Sequence, residues 1–251
     1  MSPKPRLIRG AMALTGVTRH SSSHPKTCET NVMNPSRTYS PNRLIGGLML
    51  LSFALGILSN FALQPLAWGK AGFLAAAAPQ GAAIGGAVLM DLTLALLGLW
   101  ISVLLRQRYG DRQPLLTLFC LALSAAELAL CLVEGSALMA MRTLSASYLA
   151  HPQLAEAYTP AADLLKGLRN GFHYSGKAFG GLGLLLFFVL LARAAALPLA
   201  LLGLVMAATV LQIVTVAQGF VGQEANLLML APLGLLYPVA AAWLLWRGLP
   251  R

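Results

Sequence analysis

From Leu44 onward the chain is a series of apolar runs of about 20 residues or more separated by short polar joints, and a helix of about 20 residues crosses a hydrocarbon core about 30 Å thick. Six such runs predict six transmembrane helices. The first, Leu44 to Leu66 (LIGGLMLLSFALGILSNFALQPL), holds no charge. The second, Gly81 to Leu105, carries only Asp91, and the third, Leu115 to Met141, carries Glu127 and Glu134. A fourth starts near Arg169 and ends at Arg193, a fifth covers Leu197 to Phe220, and a sixth covers Leu227 to Trp246, with Pro232 and Pro238 expected to kink it. The expected fold class is therefore all-α, a polytopic bundle of six spans in one domain, residues 43–251.

Composition agrees with the pattern. Of 251 residues, 57% are apolar and 10% charged, and mean hydropathy is +0.71. A water-soluble domain carries about 25% charged residues, so too little polar surface exists here to cover a globule. The formal charge of +10 does not indicate nucleic-acid binding, because the first 43 residues hold +6 and the other 208 only +4. A basic tail ahead of an apolar body reads as membrane orientation. Three cysteines make no disulfide framework; Cys120 and Cys131 sit about 16 Å apart along one predicted helix, too far to be bridged, and read as small core residues.

Orientation follows from Lys and Arg in the short joints, since the cytoplasmic side retains positive charge. With the N-terminus inside, that side holds Arg37, Arg43, Arg106, Arg108, Arg112, Arg193, Arg247 and Arg251 and five further basic tail residues, against Lys70, Arg142, Lys166 and Arg169 outside. Both termini are expected in the cytoplasm, in the inner membrane of a bacterium. The longest joint, about Arg142 to Leu168, falls outside, and LAEAYTPAADLLKGLRN within it has the spacing of a short interfacial helix leading into the fourth span. Residues 1–42 read as a disordered basic tail, with Met33 offering a second start. An Arg- and Ser-rich, acid-poor leader also has the composition of a transit peptide, whereas its apolar patch is too short for a signal-peptide core.

Charges inside a membrane cost about 2.5 kcal/mol upward at a helix centre and call for a partner or a wet cavity. Asp91 and Glu127 come out near mid-bilayer on neighbouring antiparallel helices, where two carboxylates at one depth can share a proton. Glu127 and Glu134, seven apart, occupy one helix face with Ser124 and Cys131. Arg169, His173 and Lys177, four apart, form a basic stripe on the fourth helix. The simplest arrangement pairs Glu134 with Lys177 as a buried ion pair, with His173 alongside. Asn60, Gln64 and Gln212 read as neutral packing bonds. Small-residue pairs Gly81/Gly85 and Gly176/Gly180 read as close helix crossings, as does the run Gly180, Gly181, Gly183.

No cofactor is expected. The six spans hold a single histidine, His173, which excludes a bis-His haem, and zinc-hydrolase, nucleophile-elbow and phosphate-loop motifs are absent. A metal held by Asp91, Glu127, Glu134 and His173 would be opposed by Lys177, so no metal site is expected either.

From Met33 the stretch MNPSRTYSPNRLIGGLMLLSFALGILSNF resembles the opening of an uncharacterised family of bacterial integral membrane proteins, a domain of unknown function. The likeness continues through LMDLTLALLGLWISVLLRQRYGDRQPLL, where the family also places an Asp ahead of a basic loop, and through LRNGFHYSGKAFGGLGLLLFFVLLARAAALP, and spans about Met33 to Arg251. The resemblance implies a six-helix membrane protein and no established activity. Two departures concern the fourth helix: Arg169–Asn170 stands where the family has a His-Asn pair, and Lys177 where it has a Gln, while His173 replaces an apolar residue.

Two readings of the charged cluster stand: interhelical bonds that fix packing, or a polar cavity open toward the outer half. The second makes the protein a binder or transporter of a small polar molecule, with Asp91, Glu127, Glu134, Arg169, His173 and Lys177 lining the cavity and a homodimer expected, since six helices without a repeat are few for a lone transporter. An alternative is a membrane-embedded enzyme acting on a lipid or quinone headgroup, with Glu127 or Glu134 as base and His173 as acid. A structural or accessory subunit is the third. The lipid bilayer is a partner in all three readings, and nucleic acid in none.

Overall fold

The computed structural model describes residues 41–70, 72–223 and 226–250. The basic tail expected over 1–42 lies outside them, except for its last two residues, which open the first helix. Among the described residues the protein is all-α: α1 (Pro41–Ile57), α2 (Phe73–Ala76), α3 (Gly81–Tyr109), α4 (Pro114–Ala150), α5 (Ala155–Arg193), α6 (Leu199–Phe220) and α7 (Ala231–Arg247). Six helical segments are long and apolar enough to cross a membrane, as expected of a multi-pass membrane protein. The described chain begins and ends at one end of the bundle, called here the near end, where the carbonyl of Pro250 accepts bonds from Arg108 Nη2 (2.9 Å) and the Tyr109 hydroxyl (3.4 Å).

The first span changes gauge partway. After Ile57 it widens into a π-helical turn (Leu58–Leu63), then tightens into a 3-10 turn (Gln64–Ala67) around Pro65. The Asn60 side chain donates to the Gly56 carbonyl at 2.9 Å, and Pro65 has no N–H to continue the ladder. Such departures inside a helix re-aim side chains and often mark functional positions; here the residue presented inward is Gln64.

The third and fourth spans correct the expected loop. Instead of a long joint from Arg142 to Leu168, α4 continues to Ala150 and α5 starts at Ala155, joined by four residues that include a 3-10 turn over Pro152–Leu154. The stretch expected as a separate interfacial helix is the opening of α5 itself. At 1.5 Å per residue the two helices are about 55 and 58 Å long, well beyond a hydrocarbon core of about 30 Å. Backbone hydrogen bonding is satisfied in water and lipid alike, so the helices need not stop where apolar residues do. Pro232 lies in the first turn of α7 and Pro238 inside it.

Two apolar clusters bracket the polar residues. The larger, at the near end, joins Ile45, Leu48 and Met49 to Ile101, Leu105, Phe187, Phe188, Leu191, Val205 and Leu244. The smaller, toward the far end, joins Ala67 and Phe73 to Ile84, Leu138, Met141 and Ala162. Ser145 fastens the far cluster: its hydroxyl donates to the Leu74 carbonyl (2.7 Å) and accepts from the Ala78 N–H (2.9 Å).

Candidate functional site

Between those clusters the first span, α3, α4 and α5 converge on a polar core. Counted from the α4–α5 turn, Glu134 is sixteen residues back along α4, and Arg169 and His173 are fourteen and eighteen residues forward along α5 from its start. They therefore stand level. Glu127 and Lys177 stand level with each other by the same count, two turns deeper toward the near end.

The upper tier is a continuous chain of bonds. Gln64 Nε2 donates to Asp91 Oδ2 at 2.7 Å, and Gln64 Oε1 accepts from Arg169 Nη2. That guanidinium nitrogen also lies 3.2 Å from Glu134 Oε1, and the same oxygen accepts from His173 Nδ1 at 2.8 Å. Arg169 Nη1 reaches Asn170 Oδ1 at 3.3 Å, and its guanidinium lies 5.6 Å from the Trp68 ring centroid. Arg169 is only 8% exposed. A guanidinium in so dry a place needs a counter-ion and acceptors for its fork of donors; Glu134, Gln64 and the Trp68 face serve its Nη2 end and its plane, while the buried Nε is left without a partner.

The expected Glu134–Lys177 ion pair is not formed; Glu134 pairs with Arg169 and His173. The physical reason is the length of α5: with fourteen helical residues ahead of Arg169, the basic stripe enters deeper than a span starting at Arg169 would place it. Asp91 and Glu127 line one cavity, yet the Asp91 carboxylate bonds Gln64 rather than Glu127.

The lower tier is unlike the upper. Among the described residues neither Glu127 nor Lys177 forms a hydrogen bond, nor an ion pair within 4.0 Å. Both border a cavity of about 30 Å³ with Gln64, Asp91, Glu134 and His173. That space holds one or two waters and is an order of magnitude below the 300–1,000 Å³ of small-molecule sites. It replaces the outward-opening pocket expected from sequence, because the far apolar cluster occupies the levels immediately beyond it: Leu138 and Met141 follow Glu134 by one and two turns of α4. No group of three or more His, Cys, Asp or Glu suited to a metal ion exists among the described residues.

Glycine shapes the lower tier. A Cβ on Gly180 would clash with the Glu127 carboxyl group, so the carboxylate rests in the groove that Gly180 leaves on α5. Gly181 and Gly183 face Ile213 and Leu123, a close crossing as expected, and Gly81 lies under the Arg142 guanidinium, whereas Gly85 meets nothing within 4 Å. The structure thus brings together all six charged residues singled out from sequence. It adds Gln64, whose amide donates to a carboxylate through its nitrogen and accepts from a guanidinium through its oxygen at once; its place one turn beyond Asn60 on a charge-free helix was the available signal. Gln212, expected to add a neutral bond, leaves its buried Oε1 without a partner.

Compared with known proteins, the chain matches no curated protein and no solved structure. A family model described as Domain of unknown function (DUF4386) matches residues 44–248, which takes in all six spans and every residue of the polar core. The chain belongs to that family.

Proposed function

We propose that this protein sits in the bacterial cytoplasmic membrane with its near end in the cytoplasm, and that its polar core binds and moves a small polar solute or ion. The observation that carries the reading is the contrast between tiers. Arg169, Glu134, His173, Gln64 and Asp91 are knitted together as a frame, whereas Glu127 and Lys177 lie at the same level, border the same cavity and lack bonds. Packing alone needs one interhelical bond to fix a register and gains under about 1 kcal/mol from each, while each unpaired charge costs about 2.5 kcal/mol or more. Charges kept at that cost are explained by a ligand that completes them. A cation and an anion side by side suit a zwitterion or a solute moving with a proton. The cavity of about 30 Å³ accepts water and protons as it stands; a larger solute enters by movement of the first span, whose π and 3-10 turns are irregular backbone next to a cavity, as in transporters with broken helices. A homodimer is the expected assembly.

Thermal unfolding of the detergent-purified protein tests this with a panel of small amino acids, amines and carboxylates. Glu127→Gln and Lys177→Met are expected to melt at or slightly above the wild-type temperature and to lose a ligand-induced rise that the wild type shows. A panel that moves no melting temperature, together with variants that melt lower, assigns the tier to packing and overturns the reading.

A further inference from the structure

α5 outruns its neighbour α6. The last residue of α6, Phe220, places its ring 6.2 Å from the Tyr174 ring, while α5 continues for nineteen residues past Tyr174 toward its start at Ala155. Beyond that level α6 no longer covers α5, and an open groove of about 530 Å³ runs along the helix. Asp163, Gly167, Gly171 and Ser175, one turn apart, lie along it, and Leu130 of α4 and Phe220 border its inner end. The other lining residues are leucine and phenylalanine. Nothing stands within 4 Å of a Cβ built on Gly167 or Gly171, so the groove owes its depth to two missing side chains. These positions are about 200° around α5 from Arg169 and His173 and face away from the polar core. A space of 300–1,000 Å³ with a mostly apolar lining and few polar groups has the makeup of a small-molecule site.

We propose that this groove holds one phospholipid of the far leaflet, with an ethanolamine headgroup at Asp163 and an acyl chain laid over Gly167 and Gly171. Depth supports it. Measured from Arg193 at the near end of α5, Ser175 lies about 27 Å away, Gly171 about 33 Å and Asp163 about 45 Å. A bilayer is about 30 Å thick in its hydrocarbon and 40–45 Å with its headgroups, so the groove descends from headgroup level into the acyl zone as a lipid does. Charge supports it as well. Asp163 and Lys166 are exposed, three residues apart on neighbouring positions of the helix, and neither forms an ion pair or a side-chain hydrogen bond among the described residues. Lys166 is the deeper of the two by about 4.5 Å. A zwitterionic headgroup has the same order, its phosphate next to the chains and its ammonium beyond. A primary ammonium donates hydrogen bonds to a carboxylate, whereas a trimethylammonium donates none and favours aromatic faces; the phenylalanines of the groove, Phe172 and Phe220, lie at its inner half, away from Asp163. A second copy of the chain fits less well, because a two-fold contact centred on Gly167 and Gly171 would bring the two Asp163 carboxylates toward each other.

Native mass spectrometry of the full chain in detergent, titrated with dioleoyl phosphatidylethanolamine, phosphatidylcholine or phosphatidylglycerol, tests this. One phosphatidylethanolamine is expected to bind more tightly than either of the others, by about threefold or more. Asp163→Asn and Lys166→Gln should each weaken it by about threefold, the size of one exposed ion pair. Gly167→Leu combined with Gly171→Leu fills the groove and should abolish the bound lipid. Both sites are open and leucine is the better helix former, so that variant is expected to melt at or above the wild-type temperature. Gly203→Leu, at an equally open position on α6, should leave binding unchanged. Equal affinity for the three headgroups overturns the assignment, as does a lipid that stays bound in the double leucine variant. A double leucine variant that turns a dimer into monomers assigns the groove to a second copy and overturns the proposal too.

Discussion

At the near end the helices are held by shape, and at the polar core by charge. Near the termini, α1 crosses α7 so closely that a Cβ on Gly46 would lie 2.3 Å from the backbone nitrogen of Leu245, and Ala240, Ala241, Leu244 and Phe188 are fully buried around that crossing. In the core, Arg169 joins α5 to α4 and to the first span through three polar or aromatic partners, Glu134, Gln64 and Trp68. Lipid is as apolar as leucine, so apolar helix faces gain little merely by leaving it; close packing and polar bonds are what hold a bundle. The near half uses the first and the core uses the second. Their failure modes differ accordingly: a shape contact is lost by degrees, whereas a charge stripped of its partner has no cheap alternative in a hydrocarbon.

The largest effect is therefore expected from Arg169→Met. It leaves the Glu134 carboxylate with His173 alone, frees Gln64 Oε1 and removes the stacking on Trp68. Removing one member of a buried pair costs about 3 kcal/mol or more, and unfolding in detergent against urea or SDS measures it. Arg169→Met combined with Glu134→Gln should recover part of the loss, since the orphaned charge is gone. A cost below about 1 kcal/mol, the typical value for a polar contact between membrane helices, would place the core on the same footing as ordinary packing.

The near half is probed by Gly46→Val. Its added carbons would meet the backbone of α7 rather than a side chain that can move aside, and over-packing of this kind costs about 1–3 kcal/mol. The same variant should leave any ligand-induced stabilisation intact, because the crossing lies away from the cavity. Loss of ligand response at Gly46→Val would show that the two halves move as one body.

The two halves also differ in how much of them is written plainly in the sequence. The spans are legible because lipid demands about 20 apolar residues in a row, and their near-end limits follow from Arg106, Arg193 and Arg247. The far ends of α4 and α5 are not, since Arg142, Glu156, Asp163, Lys166 and Arg169 make the stretch read as a loop while the helices continue out of the apolar zone. That misjudged length shifts the register of α5 against α4 by about two turns and turns the true partners of Glu134 into Lys177. The charged residues stand out against their apolar background and converge as expected. Gln64 does not, because its role depends on two partners that the sequence places 27 and 105 residues away.

The smallest change in stability, with a pointed consequence, is expected at Gly180. A Cβ on residue 180 would clash with the Glu127 carboxylate, which is the end of a flexible side chain rather than backbone. Gly180→Ala therefore displaces Glu127 at little cost to the fold, and the gain in helix propensity of about 1 kcal/mol from replacing Gly by Ala offsets part of the crowding. Melting within a few degrees of the wild type is expected. The displaced carboxylate should respond like Glu127→Gln in the ligand panel. Retained ligand response would mean that the position of Glu127 in the groove is incidental, and that the cavity works from Lys177 and the upper tier alone.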